Sequence, residues 1–181
     1  MSGLHNLEQR INNIPEINAL YVRAGYFMEN LLSQIPNILN SGETKGLFDK
    51  NLKFPMICTK DIGNFIGEAM LKFNYKGKNI KELHGSVDLN MNEATGIIKD
   101  SINMPNLKYR EITEEEDRET MCNNGFSEHI IDVIIETTKA LNNQHINMVE
   151  QRTQENTTPT TYKNFIEDVF IPLYKEEKNN L

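Results

Sequence analysis

Ile17-Asn18-Ala19-Leu20-Tyr21-Val22-Arg23-Ala24-Gly25-Tyr26-Phe27-Met28-Glu29-Asn30 is the stretch on which the architecture turns. Its first seven residues are rich in β-forming side chains and bounded by Pro15 and Gly25, which predicts a short buried strand. Before it, Leu4, Leu7, Ile11 and Ile14 recur at helical spacing and stop at Pro15. A helix feeding a buried strand implies α/β layering. After Gly25, Tyr26 to Ile35 reads as a short helix, and Pro36 with Ser41-Gly42-Glu43-Thr44-Lys45-Gly46 as a loop.

The alternation continues along the chain. Phe54 to Cys58 reads as a second apolar strand. Thr59 or Lys60-Asp61 then opens the clearest amphipathic helix, with Ile62, Phe65, Ile66, Ala69, Met70 and Phe73 on one face, of which Phe65, Ile66 and Ala69 are predicted to be mostly buried. Because both strands read as apolar on two faces, Ile17 to Val22 and Met56 to Cys58 are expected to run parallel, adjacent or nearly so. Ile80 to Val87 reads as a strand. Asn90 or Asn92 caps a helix carrying Ala94, Ile97, Ile98 and Ile102, and Leu107 to Ile112 returns as a strand. Thr113 opens an acidic first turn, Glu114-Glu115-Glu116-Asp117, suited to the positive end of a helix dipole. That helix ends at Asn124-Gly125, and Ser127 caps another with Ile130, Ile131, Ile134, Ile135 and Leu141 inward. Residues 142–159 are polar and read as a mobile loop. A last helix from Thr160 or Thr161 places Tyr162, Phe165, Ile166, Val169, Phe170 and Leu173 inward, with Pro172 ending or kinking it.

Composition narrows the function classes. The 181 residues suffice for one domain with a core, and the formal charge of −7, without a Lys/Arg cluster, opposes direct nucleic-acid binding. Cys58 and Cys122 form neither a C-x-x-C pair nor a disulfide framework and read as small buried or half-buried residues. No secretory signal or membrane-length apolar run is present in the sequence, so a soluble cytoplasmic protein is expected. His84, His129 and His145 share no ligand spacing, so no metal site is expected.

Four segments, in order, resemble the NmrA-like family of atypical short-chain dehydrogenase/reductases. Leu20 to Asn30 is similar to the family's strand followed by Arg-Pro-Gly-Tyr/Phe-Phe-Met-Glu-Asn, with Ala24 in place of the proline. Gly3 to Arg10 resembles the helix that carries the catalytic positions. Thr59-Lys60-Asp61-Ile62-Gly63 resembles a strand-to-helix junction, and Thr158-Pro159-Thr160-Thr161 the start of the C-terminal helix. The resemblance implies the C-terminal portion of a Rossmann-like α/β fold: short parallel strands alternating with helices, plus a mostly helical substrate-side region. It also implies that residues 1–181 are a single incomplete domain whose glycine-rich nucleotide-binding segment lies outside them.

By that resemblance the cofactor is NAD or NADP, and Gly25, Tyr26, Phe27, Met28 and Asn30 line the cofactor and substrate pocket. The sequence itself holds no G-x-x-G-x-x-G, so weak binding or none is expected of this chain alone. The helix that corresponds to the family's Tyr-x-x-x-Lys segment carries no such pair: His5 and Gln9 have the spacing without the cation, and no catalytic residue is assigned. The expected function is therefore an NAD(P)-binding protein, reductase-type or redox-sensing, contributing the substrate-side wall. A non-enzymatic regulatory module that binds proteins, or an inactive truncated product, stands beside it. A small-molecule substrate, a protein partner and self-association are the partners compatible with this reading. If the rest of the fold is absent, apolar residues of Ile17 to Val22 should remain exposed.

Overall fold

The computed structural model describes residues 2–180. In order, α1 (Ser2–Asn12) leads to β1 (Ala19–Ala24) and β2 (Tyr26–Phe27), then to a 3-10 helix, Met28–Gln34, that runs into α2 (Ile35–Ser41). β3 (Glu43–Gly46), β4 (Phe54–Ile57), α3 (Thr59–Lys72), β5 (Lys78–Leu83), β6 (Asp88–Leu89) and α4 (Met91–Ser101) follow. The chain finishes with β7 (Lys108–Glu111), α5 (Glu114–Asn123), α6 (Glu128–Asn142), α7 (Tyr162–Phe165), a π turn at Ile166–Phe170 and α8 (Ile171–Asn179).

Strands pair mainly in parallel, as α/β alternation requires. β1 pairs with β5 over its whole length, from Ala19 opposite Lys78 to Ala24 opposite Leu83. One residue later the partner changes, and β2 pairs in parallel with β4, Tyr26 opposite Met56. β1 and the strand at Met56 are thus near neighbours in one parallel arrangement, with β5 beside β1 itself. Gly25 and Gly85 make the exchange possible: a Cβ on Gly25 would overlap the Pro55 carbonyl, and one on Gly85 would overlap the Met56 carbonyl. Since Gly85 follows β5 and touches β4, β4 takes over from β5 along the same edge. β6 adds an antiparallel rim to β4, and β3 pairs in parallel with β7.

The main core lies around β4, where Met56, Ile38, Ile98, Ile166 and Phe170 are 0% exposed. The 3-10 helix, α2, α4 and the α7–α8 segment close over it. Capping fixes these elements locally. Asn90 and Glu93 form a reciprocal capping box at α4, and Thr113 and Thr161 accept from the backbone amides of Glu116 and Asn164.

Several expectations are corrected. The Tyr26 to Ile35 helix is a two-residue strand and a 3-10 helix, because Tyr26 and Phe27 first complete the ladder to β4. Pro36 opens α2 instead of a loop, as its missing N–H costs nothing in a first helical turn. Residues 43–46 form β3, which β7 recruits by ladder pairing. The strand from Ile80 ends at Leu83, where Gly85 packs against β4. Pro172 does not end the last helix; it sits in the first turn of α8, directly after a π turn that interrupts the regular helical ladder.

Burial departs from the periodicity in three places. β1 is half-buried, not buried, with Ile17 before it 40% exposed. On α3, Ile66 and Met70 are exposed and Phe65 and Ala69 only half-buried, since the sheet beneath them is just two strands wide. On α6, Ile131 and Ile135 are buried while Ile130 and Ile134 are exposed, and near the helix's far end Leu141 is half-buried; α6 packs on α5 over a small satellite core with Met121 and the half-buried Leu47. Val169 is half-buried and Leu173 exposed, beside buried Phe165 and Phe170. Cys58 is buried, whereas Cys122 is exposed.

The polar stretch after α6 has no helix or strand beyond a bridge from Thr157 to His84. Polar anchors hold it along β5: the amides of Val149 and Glu150 each donate to the buried Glu82 at 2.7 Å, and Arg152 donates to the Gly85 carbonyl and Asp88.

Candidate functional site

In a parallel sheet the strand ends that carry the carbonyl termini define the crevice where ligands sit. Here those ends are Gly25 to Asn30 after β1, Cys58 to Asp61 after β4, and His84 to Ser86 after β5. Glu29 joins the first two: its Oε1 accepts from the Thr59 amide at 2.9 Å, the Thr59 hydroxyl at 2.6 Å and the Cys58 thiol at 3.4 Å. Asp61 joins the second to the C-terminal segment, accepting from the Thr160 amide at 2.9 Å and the Thr160 hydroxyl at 2.8 Å. The third end is bound to the same segment, the Thr158 amide donating to the His84 carbonyl at 2.9 Å. Three strand ends and the C-terminal segment, four stretches far apart in sequence, thereby form one hydrogen-bonded cluster.

The residues predicted to line a pocket divide in two. Phe27 is 41% exposed and Asn30 is exposed, so both face solvent at the end of the strand. Tyr26 turns its ring into an aromatic cluster with Phe48 and Phe54, at centroid separations of 5.3 and 5.4 Å, and Met28 is buried in the main core. Burial pushes the Tyr26 phenol up to about 12, with Asn30 pulling the other way. Gly25 supplies the close approach to Pro55.

Chemically the cluster is acidic and polar. Burial raises the Cys58 thiol above its ordinary value, and the nearby Glu29 and Asp61 act in the same direction, so Cys58 stays protonated and is a poor nucleophile. Buried polar atoms of Glu29, His84, Ser86, Thr158 and Tyr162 have no hydrogen-bond partner among the described residues. His5 is exposed on α1, which is tied to β1 by the Glu8–Arg23 pair at 2.8 Å and by the Tyr21 hydroxyl donating to Asn12 at 2.9 Å. Among the described residues no group of three His, Cys, Asp or Glu side chains could hold a metal ion, and His129 and His145 are exposed.

A dinucleotide needs a helix N-terminus free to meet its pyrophosphate. At the β4–α3 junction the Thr59 amide is already engaged by the Glu29 carboxylate, and no glycine stands between Ile57 and Asp61. The N-terminus of α4 is filled by its own Asn90–Glu93 box, and that of α5 carries four acidic residues. These junctions do not fit a pyrophosphate.

Asp61, which the sequence places at the start of a helix, lies in the first turn of α3, and its bonds to Thr160 are structural. The sequence pattern assigns no role to Glu29, His84 or Gly85. The available signal was a glycine directly after a strand, which marks close backbone approach.

No family model matches the sequence, and no curated protein does. Solved structures do resemble it. A nucleoside-diphosphate-sugar epimerase from Staphylococcus aureus shares 18% identity with a TM-score of 0.73, over 93% of this chain and 58% of its own. An NADPH-dependent quinone oxidoreductase from Escherichia coli, complexed with NADPH, shares 16% identity with a TM-score of 0.74, over 90% and 57%. A double mutant of NmrA shares 12% identity with a TM-score of 0.69, over 98% and 59%. The expected likeness to NmrA therefore holds at the level of fold: this is a mixed α/β arrangement corresponding to part of a Rossmann-like fold. The chain spans less than three-fifths of the length of each of these structures. No helix among the described residues is long and apolar enough to cross a membrane.

Proposed function

We propose that this chain is the substrate-side part of an NmrA-like, NAD(P)-binding protein of the cytoplasm, reductase-type or redox-sensing. The observation that carries the proposal is the cluster in which Glu29 reaches Thr59 and Asp61 reaches Thr160, because it joins three of the segments whose sequences resemble that family. Fold likeness to an NADPH-complexed oxidoreductase supports the choice of cofactor class. In this reading Phe27 and Asn30 face the nicotinamide and substrate, while Tyr26 and Met28 hold that wall from behind and Gly25 sets its approach to β4. Because the helix N-termini described above do not fit a pyrophosphate, the phosphates are held by polypeptide outside these residues.

Titration of the 181-residue chain with NADH and with NADPH, followed by calorimetry and nicotinamide fluorescence, tests this. Binding no tighter than millimolar is expected, since stacking and a few hydrogen bonds must offset several kcal/mol, on the order of 4 or more, of lost freedom. One-to-one binding at micromolar concentration would place the nucleotide site within this chain and overturn the reading.

A further inference from the structure

Residues 147–158 lie against the sheet through polar bonds. Their apolar side chains are Met148 and Val149; neither is buried, and Val149 is 83% exposed. The hydrogen bonds that fasten the segment go to β5 and the turn beyond it. Glu82 accepts from the amides of Val149 and Glu150 at 2.7 Å each, and Arg152 donates to the Gly85 carbonyl and the Asp88 carboxylate. The His84 amide donates to the Asn156 carbonyl at 2.7 Å, and the His84 carbonyl accepts from the Thr158 amide at 2.9 Å. When such bonds break they are exchanged for bonds to water, so each stabilises little, and a segment held this way opens far more readily than a packed core.

The segment is coherent within itself and pinned at both ends. The Asn156 side chain, 2% exposed, accepts from the Thr153 amide at 2.7 Å and donates to the Gln151 carbonyl at 3.0 Å, while Thr157 donates to the Thr153 carbonyl from both its amide and its hydroxyl. On one side, past Gln144 with its left-handed φ of 55°, the amides of His145 and Ile146 close the last turn of α6 on the Ala140 carbonyl. On the other, Pro159 leads to Thr160, which Asp61 holds. Internal bonds between two fixed ends favour movement as one body over fraying residue by residue.

Beneath the segment lie groups that water would satisfy. Glu82 and His84 are 4% and 5% exposed, and His84 Nε2 and Thr158 Oγ1 are buried without a partner among the described residues. Uncovered, each gains water, which offsets part of the bonds lost on opening.

We infer that residues 147–158 are a strap, latched by Glu82 and Arg152, that lifts from β5 as a unit and uncovers the His84 end of the crevice to substrate. The substrate's part in this rests on the function proposed above, whereas the lifting is a property of the chain alone.

The test combines hydrogen exchange with acylation of histidine by diethyl pyrocarbonate, both on the 181-residue chain without cofactor. Amides of His84, Val149, Glu150 and Thr158 should exchange together, roughly a hundredfold or more faster than those of Ile166 to Phe170. His84 should be acylated more slowly than the exposed His5, His129 and His145, yet well before the core amides exchange. Arg152→Ala should raise both strap exchange and His84 acylation about tenfold while leaving core exchange unchanged. Glu82→Ala should act likewise, and Glu82→Gln, which keeps an acceptor for the two amides, should do so less. Strap amides and His84 reacting only at the rate of the core, or alanine variants that speed core and strap alike, would make the segment a fixed part of the fold and overturn the inference. So would a parent chain in which His84 reacts as fast as His5, since no latch would then hold it. Micromolar NADPH binding would remove the function proposed above, and with it the substrate's role, without altering either rate.

Discussion

Two helical segments carry apolar stripes of the same spacing and meet different fates. In the α7–α8 segment Phe165, Ile166 and Phe170 are at most 1% exposed, whereas Ile66 and Met70 of α3 and Phe73 at its C-terminal cap are 39%, 70% and 91% exposed. The helices do not differ in pattern; what faces them does. α7–α8 meets a closed surface built from the 3-10 helix, α2, β4 and α4, while α3 overlies a two-stranded ladder with an open edge. Periodicity tells which side of a helix is apolar, but burial belongs to a pair of surfaces.

The contrast makes unequal demands on substitutions in the two regions. Gly85→Ala should be the most damaging, because the new methyl meets the Met56 backbone, which has no rotamer to move; loss of the cooperative thermal transition is expected, and a near-native melt would show that β4 and β5 are farther apart than described. Phe170→Ala, on the closed side, should cost ~3–5 kcal/mol in urea unfolding. Asp61→Ala removes both acceptors of Thr160 and leaves its amide unpaired beside the core, so a smaller loss of about 1–3 kcal/mol is expected from the same measurement.

Tyr26 offers a pH-dependent test of the closed region. Its ionised form is disfavoured in the fold, so the stability gained from keeping it neutral is complete below the ordinary tyrosine value of ~10 and is lost as pH rises towards about 12. Thermal melts between pH 8 and 11.5 should fall more steeply for the parent chain than for Tyr26→Phe. Equal slopes would mean that the ring titrates as an exposed phenol. On the open side, Phe73→Ser should change stability by no more than ~0.5 kcal/mol, and a loss of several times that would reveal packing around Phe73.

Much of the fold is legible in the sequence where local chemistry decides the outcome. Thr113 and Asn90 cap the helices they precede, Pro15 lies beyond the end of α1, and the strands at Phe54 and Leu107 lie near where β-forming residues sit between turn signals. What was not legible is non-local. β3 exists because β7 pairs with it, and the segment from Tyr26 begins as a strand because β4 is there to receive it. The candidate site was legible as motifs but not as contacts: nothing in the spacing of Glu29, Thr59, Asp61 and Thr160 says that they meet. Gly25 stands within a recognisable motif, whereas Gly85, under the same constraint from the same strand, follows a strand with no helix directly after it and carries no such signal.

Native-state hydrogen exchange of the 181-residue chain compares the two regions most directly. Amides of Ile166 to Phe170 and of β4 should exchange only through global unfolding, while alternate amides within Ala19 to Ala24, those on the unpaired edge of β1, should exchange orders of magnitude faster. Protection of every β1 amide at the level of the core, in a chain shown to be monomeric, would contradict the open edge.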